Sequence, residues 1–92
     1  MFPKIKKVIP LAEHILLIIF DNGDKKQYSI EIACKKWDVF FNLLTIPHLF
    51  EQVKVDQGGY GISWNDEIDL SANELYQNGI EYKEDTCIAV NC

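Results

Sequence analysis

No arginine occurs anywhere in the 92 residues, so every permanent positive side chain is a lysine. Nucleic-acid surfaces rely on the arginine fork, which grips phosphates and guanine edges at two points, and their domains are usually basic. Here fourteen acids face nine lysines for a net charge of −5, which disfavours direct DNA or RNA binding. Long apolar runs are missing too. The longest, Ile15 to Phe20, falls far short of the roughly 20 residues of a membrane span. The lysines near the N-terminus give way to Pro10, Glu13 and His14, and no small-residue cleavage site follows, so no secretory leader is read and a cytoplasmic location is expected.

Cysteine and histidine are scarce. Three cysteines, Cys34, Cys87 and Cys92, cannot all pair within one chain, and an odd count favours reduced thiols over a disulfide framework. Cys87 and Cys92 lack the C-x-x-C spacing of a zinc or redox site, and His14 and His48 are the only imidazoles. No metal site and no cofactor is read from these residues.

What is abundant is apolar pattern, 48% of the chain with 11 aromatic residues by type count, enough for the core of one domain spanning residues 1–92. The organising stretch is Phe50 to Tyr76. Val53 and Val55 alternate with polar residues, as do Tyr60, Ile62 and Trp64 after Gln57-Gly58-Gly59. This is a hairpin with all five apolar side chains on one face. Ser71 with Glu74 three residues on is a capping-box pattern, in which Ser71 accepts a first-turn N–H and Glu74 reaches back. It predicts a helix from Ala72, docked by Leu75 and Tyr76 and stopped at Asn78-Gly79.

Upstream, Ile5 to Ile9, His14 to Phe20 and Lys25 to Ile32 read as a three-stranded meander, the first strand an edge because of Pro10 and the second and third joined by Asp21-Asn22-Gly23-Asp24. Ile15 to Phe20 is apolar at every position, so both faces require cover. A helix covers one, and the second hairpin or a second subunit covers the other; homodimerisation is the resulting expectation. Trp37, Phe40, Phe41 and Leu44 then fall at i, i+3, i+4 and i+7, predicting a helix over Ala33 to Leu44 with that stripe in the core. Trp37→Ala would on that reading cost about 3–5 kcal/mol. Residues 77–92 are expected to form a loosely packed tail, with Cys87 to Val90 as a last short strand. The class is α+β: five or six mostly antiparallel strands, with one longer and one shorter helix.

Chemistry-bearing constellations are few. Asp66, Glu67 and Asp69 stand close enough to meet a cation, although D-E-I-D is not a calcium-loop spacing. The competing reading is a solvated turn with Asp69 capping backbone N–H groups before the helix. Gly61-Ile62-Ser63-Trp64-Asn65 lacks the closing glycine of a nucleophile elbow, and nothing in the sequence brings His14 or His48 to Ser63 or Cys34. No catalytic set is read, and a non-enzymatic protein is expected. Charge is divided, with seven lysines against four acids over residues 1–36 (+3) and two against ten over residues 37–92 (−8). The acidic half suits a small basic protein partner, charge serving association rate above all. Asp66, Glu67 and Asp69 are the candidate contact residues.

A strand ending Phe20-x-x-Gly23, then Pro47-x-x-Phe50, Val53-x-Val55-Asp56, Trp64, Asp69-Leu70 and Leu75-Tyr76 together resemble the bacterial domain-of-unknown-function family 2442, from about Val8 to Tyr76. After Trp64 that family usually continues with proline, asparagine and glycine, where this chain has Asn65, Asp66 and Glu67. The resemblance implies a small cytoplasmic α+β domain, in some members joined to a helix-turn-helix and often encoded beside another small protein in toxin–antitoxin-like cassettes. It carries no catalytic residues over. An antitoxin-like accessory role is the expectation from it, with an accessory domain of a DNA-linked regulator as the alternative.

Overall fold

The Asn22-Gly23 turn closes its hairpin by two devices. Gly23 takes φ +95°, and the Asn22 carboxamide oxygen accepts the Asp24 N–H at 2.9 Å, an Asx bond that satisfies the backbone where the ladder ends. In the computed structural model, which describes residues 3–82, this turn joins β2 (Ile15–Phe20) to β3 (Lys25–Ser29). β1 (Ile5–Leu11) pairs antiparallel with β2 and runs through Pro10. As an edge strand it tolerates a residue that cannot donate. The meander is therefore as expected in its three strands, except that the first continues through Pro10 to Leu11 instead of stopping at Ile9, the second starts at Ile15 and the third ends at Ser29 instead of Ile32.

Ser29 ends β3 because its hydroxyl accepts the Glu31 N–H at 3.2 Å and caps α1 (Ile30–Lys36). Ile30, Ala33 and Cys34, at i, i+3 and i+4, form the buried face of that helix. This displaces the expected helix over Ala33 to Leu44. Trp37 is extended at φ −140°, ψ 120°, so the chain breaks there, passes through a 3-10 turn at Asp38–Phe40 and re-forms as the short α2 (Phe41–Thr45). The stripe of Trp37, Phe40, Phe41 and Leu44 consequently never lies on one helix. Phe40 and Leu43 enter the core, while Trp37 and Phe41 remain 44% and 50% exposed. The expectation that Trp37 is a core residue is corrected.

A second antiparallel sheet is formed by β4 (Lys54–Val55), β5 (Gly61–Ser63) and β6 (Asp69–Ser71), in that order. Its hairpin has two rungs, Lys54 to Ser63 and Val55 to Ile62. Ile62 and Trp64 are buried on the expected face, but Tyr60 is 59% exposed. Gly58 and Gly59 both have positive φ and Tyr60 itself is still in the α region, so the turn is longer than expected and Tyr60 stands outside the strand. The Lys4 ammonium lies 5.1 Å from its ring centroid.

Ser71 caps α3 (Ala72–Asn78) by accepting the Glu74 N–H at 3.1 Å. β7 (Ile80–Glu81) then pairs with β3, completing a first sheet of order β1-β2-β3-β7. The class is α+β, as expected; the described residues contain seven strands and three short helices instead of one longer and one shorter helix. Helix α3 contacts both β3 and β6, and β1 contacts β4, so the two sheets share one core. Leu16, Ile18 and Phe20 of β2 point into it, while Ile15, Leu17 and Ile19 are half-buried on the outer face beside Ile9 and Leu11. The suggested strand at Cys87 to Val90 lies outside the described residues.

Candidate functional site

A side chain left outside the core by a helix break must lie on something or project into solvent. Trp37 does both. Its ring centroid is 5.8 Å from that of Phe40, which is 6.0 Å from Trp64 in an edge-to-face contact. Phe40 and Trp64 are buried and the Trp64 indole N–H donates to the Phe50 carbonyl at 2.9 Å. The exposed indole is thus braced through two rings to the backbone.

Trp37 and Phe40 line an open cleft of about 410 Å³ together with Glu67, Asp69 and Glu74. Two of the three candidate contact residues therefore line it, while Asp66 is exposed and is not among its lining residues. Asp69 does not cap the turn before the helix, which corrects that reading. Asn65 does so, its carboxamide oxygen accepting the N–H groups of Glu67 and Ile68, each at 2.9 Å. With Asn65 serving that backbone, the Glu67 and Asp69 side chains remain exposed.

Trp37 and Glu74 were not anticipated at this site. The sequence pattern assigned Trp37 to a helix stripe and Glu74 to the reciprocal half of a capping box. Glu74 instead turns away from the Ser71 N–H, accepting the Tyr28 hydroxyl at 2.8 Å and the Lys36 ammonium at 2.7 Å. Tyr28 is fully buried, and an unpaired phenol there would be costly; this demand, made 46 residues away, outcompetes the local cap. The Lys36 ammonium also lies 5.6 Å from the Trp37 ring centroid, within the range of a cation–π contact.

Burial pushes the Glu74 carboxyl up, but the bonds from Lys36 and Tyr28 outweigh it and hold the group below its ordinary value of 4.5. Burial, then the Glu74 bond, drive the Tyr28 phenol far above its usual range. Because the folded-state pKa of Glu74 is depressed, its contribution to stability is complete above about pH 4.5 and is lost as pH falls through the lower folded value. The urea midpoint is expected to drop on acidification below that pH, and Glu74→Gln is expected to start lower at pH 7 and drop less. An unchanged acid slope in that variant would place the titration elsewhere, for example at Asp24, held low by the Tyr76 hydroxyl and Asn22.

Of the other groups weighed for chemistry, His48 is exposed, while Ser63, His14 and Cys34 are engaged structurally. The Ser63 hydroxyl donates to Asp56 at 2.7 Å, and the His14 ring packs edge-on to Phe50 at 5.1 Å. Burial and then the Glu31 charge push the Cys34 thiol up, away from the reactive thiolate. What the cleft offers is aromatic rings and carboxylates lining one open space, a setting that suits a cation on an aliphatic stem.

A family model described as protein of unknown function (DUF2442) matches residues 5–81. The chain belongs to this family. The match spans both sheets, all three helices and the whole cleft. Comparison with curated proteins and with solved structures finds no match. Among the described residues of this DUF2442 domain, no helix is long and apolar enough to cross a membrane.

Proposed function

We propose that this DUF2442 domain is a non-enzymatic protein-interaction module whose cleft receives a basic segment of another small protein. The observation that carries the reading is the exposed, braced Trp37 sharing an open cleft with Glu67 and Asp69. Large apolar side chains cost solubility when exposed, and rigid tryptophans are the residues most often found at binding hot spots. The net charge of −5 adds attraction for a basic partner at long range, strongest at low salt. An accessory or antitoxin-like role in the bacterial cytoplasm fits that chemistry, the acidic cleft masking a basic surface until release.

Two variants test it. Trp37→Ala should leave stability within about 1 kcal/mol, as for an exposed position, yet weaken binding of a lysine- and arginine-rich peptide by about 30-fold, as for loss of a hot spot. Glu67→Gln with Asp69→Asn should slow association and flatten its salt dependence. Fluorescence titration of the full chain reads both. Tight, salt-insensitive binding that ignores all three substitutions would sink the reading.

A further inference from the structure

We infer that the open edge of β6 is a strand-addition site, which seats an extended basic segment of another protein in the cleft through main-chain hydrogen bonds. This rests on the interaction reading above and adds how the partner is held.

Among the described residues β6 is the last strand of its sheet, and hydrogen bonds in an antiparallel ladder recur at every second residue. The bonds from Trp64 N–H to Ile68 C=O, 2.9 Å, and from Ala72 N–H to Tyr60 C=O, 2.8 Å, bracket the β5–β6 pair. Counting inward by two makes Ile62 and Leu70 the exchanging pair, consistent with their register. The main-chain groups of Asp69 and Ser71 accordingly point away from β5. Ser71 is the N-cap of α3, so its carbonyl already serves the helix. Its N–H would be taken in a full capping box, but Glu74 is held by Tyr28 and Lys36 instead. Among the described residues this leaves three groups along one edge without a main-chain partner: the Asp69 N–H, the Asp69 C=O and the Ser71 N–H.

Asp69, Leu70 and Ser71 all line the cleft, as do Trp37, Val39 and Phe40. The edge therefore opens onto a groove with an apolar wall, where an added strand would bury side chains as well as pair its backbone. Side chains of paired residues lie on the same face, so the residue added opposite Asp69 would sit beside a carboxylate. A lysine or arginine is favoured there and an acid is repelled. That choice of charge is what keeps an open edge from pairing indiscriminately, and it commits the occupant to a basic, extended polypeptide.

The probe is a capped peptide alternating lysine or arginine with valine, titrated against the full chain by NMR. Two further peptides of the same sequence carry N-methyl groups on alternate amides, one set at odd and one at even positions, which removes donors while keeping every charge. The parent is expected to slow hydrogen exchange at the amides of Asp69 and Ser71. One methylated set is expected to bind about tenfold more weakly, as for one or two lost hydrogen bonds, and the other as well as the parent. Asp69→Pro, which deletes the edge donor without touching a β5 bond, should mimic the methylation effect, whereas Asp69→Asn should lose only the charge contribution. Salt-sensitive binding of all three peptides with equal affinity and no protection at Asp69 or Ser71 would overturn the strand addition and leave the acidic-cleft reading standing. Failure of the parent peptide to bind at all would overturn both.

Discussion

Trp64→Ala is expected to lower the unfolding free energy by about 3–5 kcal/mol, the range for truncating a large aromatic in a packed core. Trp64 is 5% exposed, stands edge-on to Phe40 and donates its indole N–H to the Phe50 carbonyl. Its loss empties a large volume and also leaves a buried carbonyl without that donor. The contrast with Trp37 is the informative part, because the two indoles belong to one row of rings and differ only in which end meets water. Urea denaturation of both variants, followed by far-UV circular dichroism, checks the pair. Equal losses would mean that the row is packed uniformly and that Trp37 is no more available to a partner than Trp64.

Gly59→Ala is expected to cost about 2–4 kcal/mol. Gly59 has φ +78°, where an L side chain costs about 1–2 kcal/mol. A Cβ there would also lie 2.7 Å from the Ile5 carbonyl oxygen and 3.1 Å from its nitrogen. Those are backbone atoms of β1, so relief requires the first sheet to move from the second. Gly23→Ala is the control: its φ is +95° but nothing lies within 4 Å of the added Cβ, so the conformational cost of about 1 kcal/mol should stand alone. Thermal unfolding of the two variants separates strain from collision. A Gly59→Ala protein as stable as Gly23→Ala would show that the sheets are not in close contact at that point.

These variants probe features that differ in how far the residue pattern revealed them. The meander was legible because hairpin turns act locally: Asn22-Gly23 needs only its own neighbours to bend the chain. The cap of α3 was legible for the same reason. Helix α1 starts three residues before the expected Ala33, since Ile30 and Ile32 fit a strand alternation as well as Ile30, Ala33 and Cys34 fit a helical stripe, and the Ser29 hydroxyl decides between them. The three-residue β6 is too short to show any period, and only its pairing with β5 makes it a strand. Two acids of the cleft, Glu67 and Asp69, could be named from their clustering. Trp37 could not, because its exposure follows from a backbone break that no spacing of apolar residues announces.

By itself, the amino-acid order determined the α+β class, the Asn22-Gly23 hairpin turn, the capped helix after Ser71 and the acidic character of the second half, all of which depend on short-range sterics or on simple charge count. Only the tertiary structure decided which tryptophan is interior, where Glu74 spends its hydrogen bonds and which main-chain edge is left open. Those outcomes turn on the competition for Glu74 between a cap three residues away and a buried phenol 46 residues away, and a contest of that kind is settled by burial, which exists only once the chain has folded.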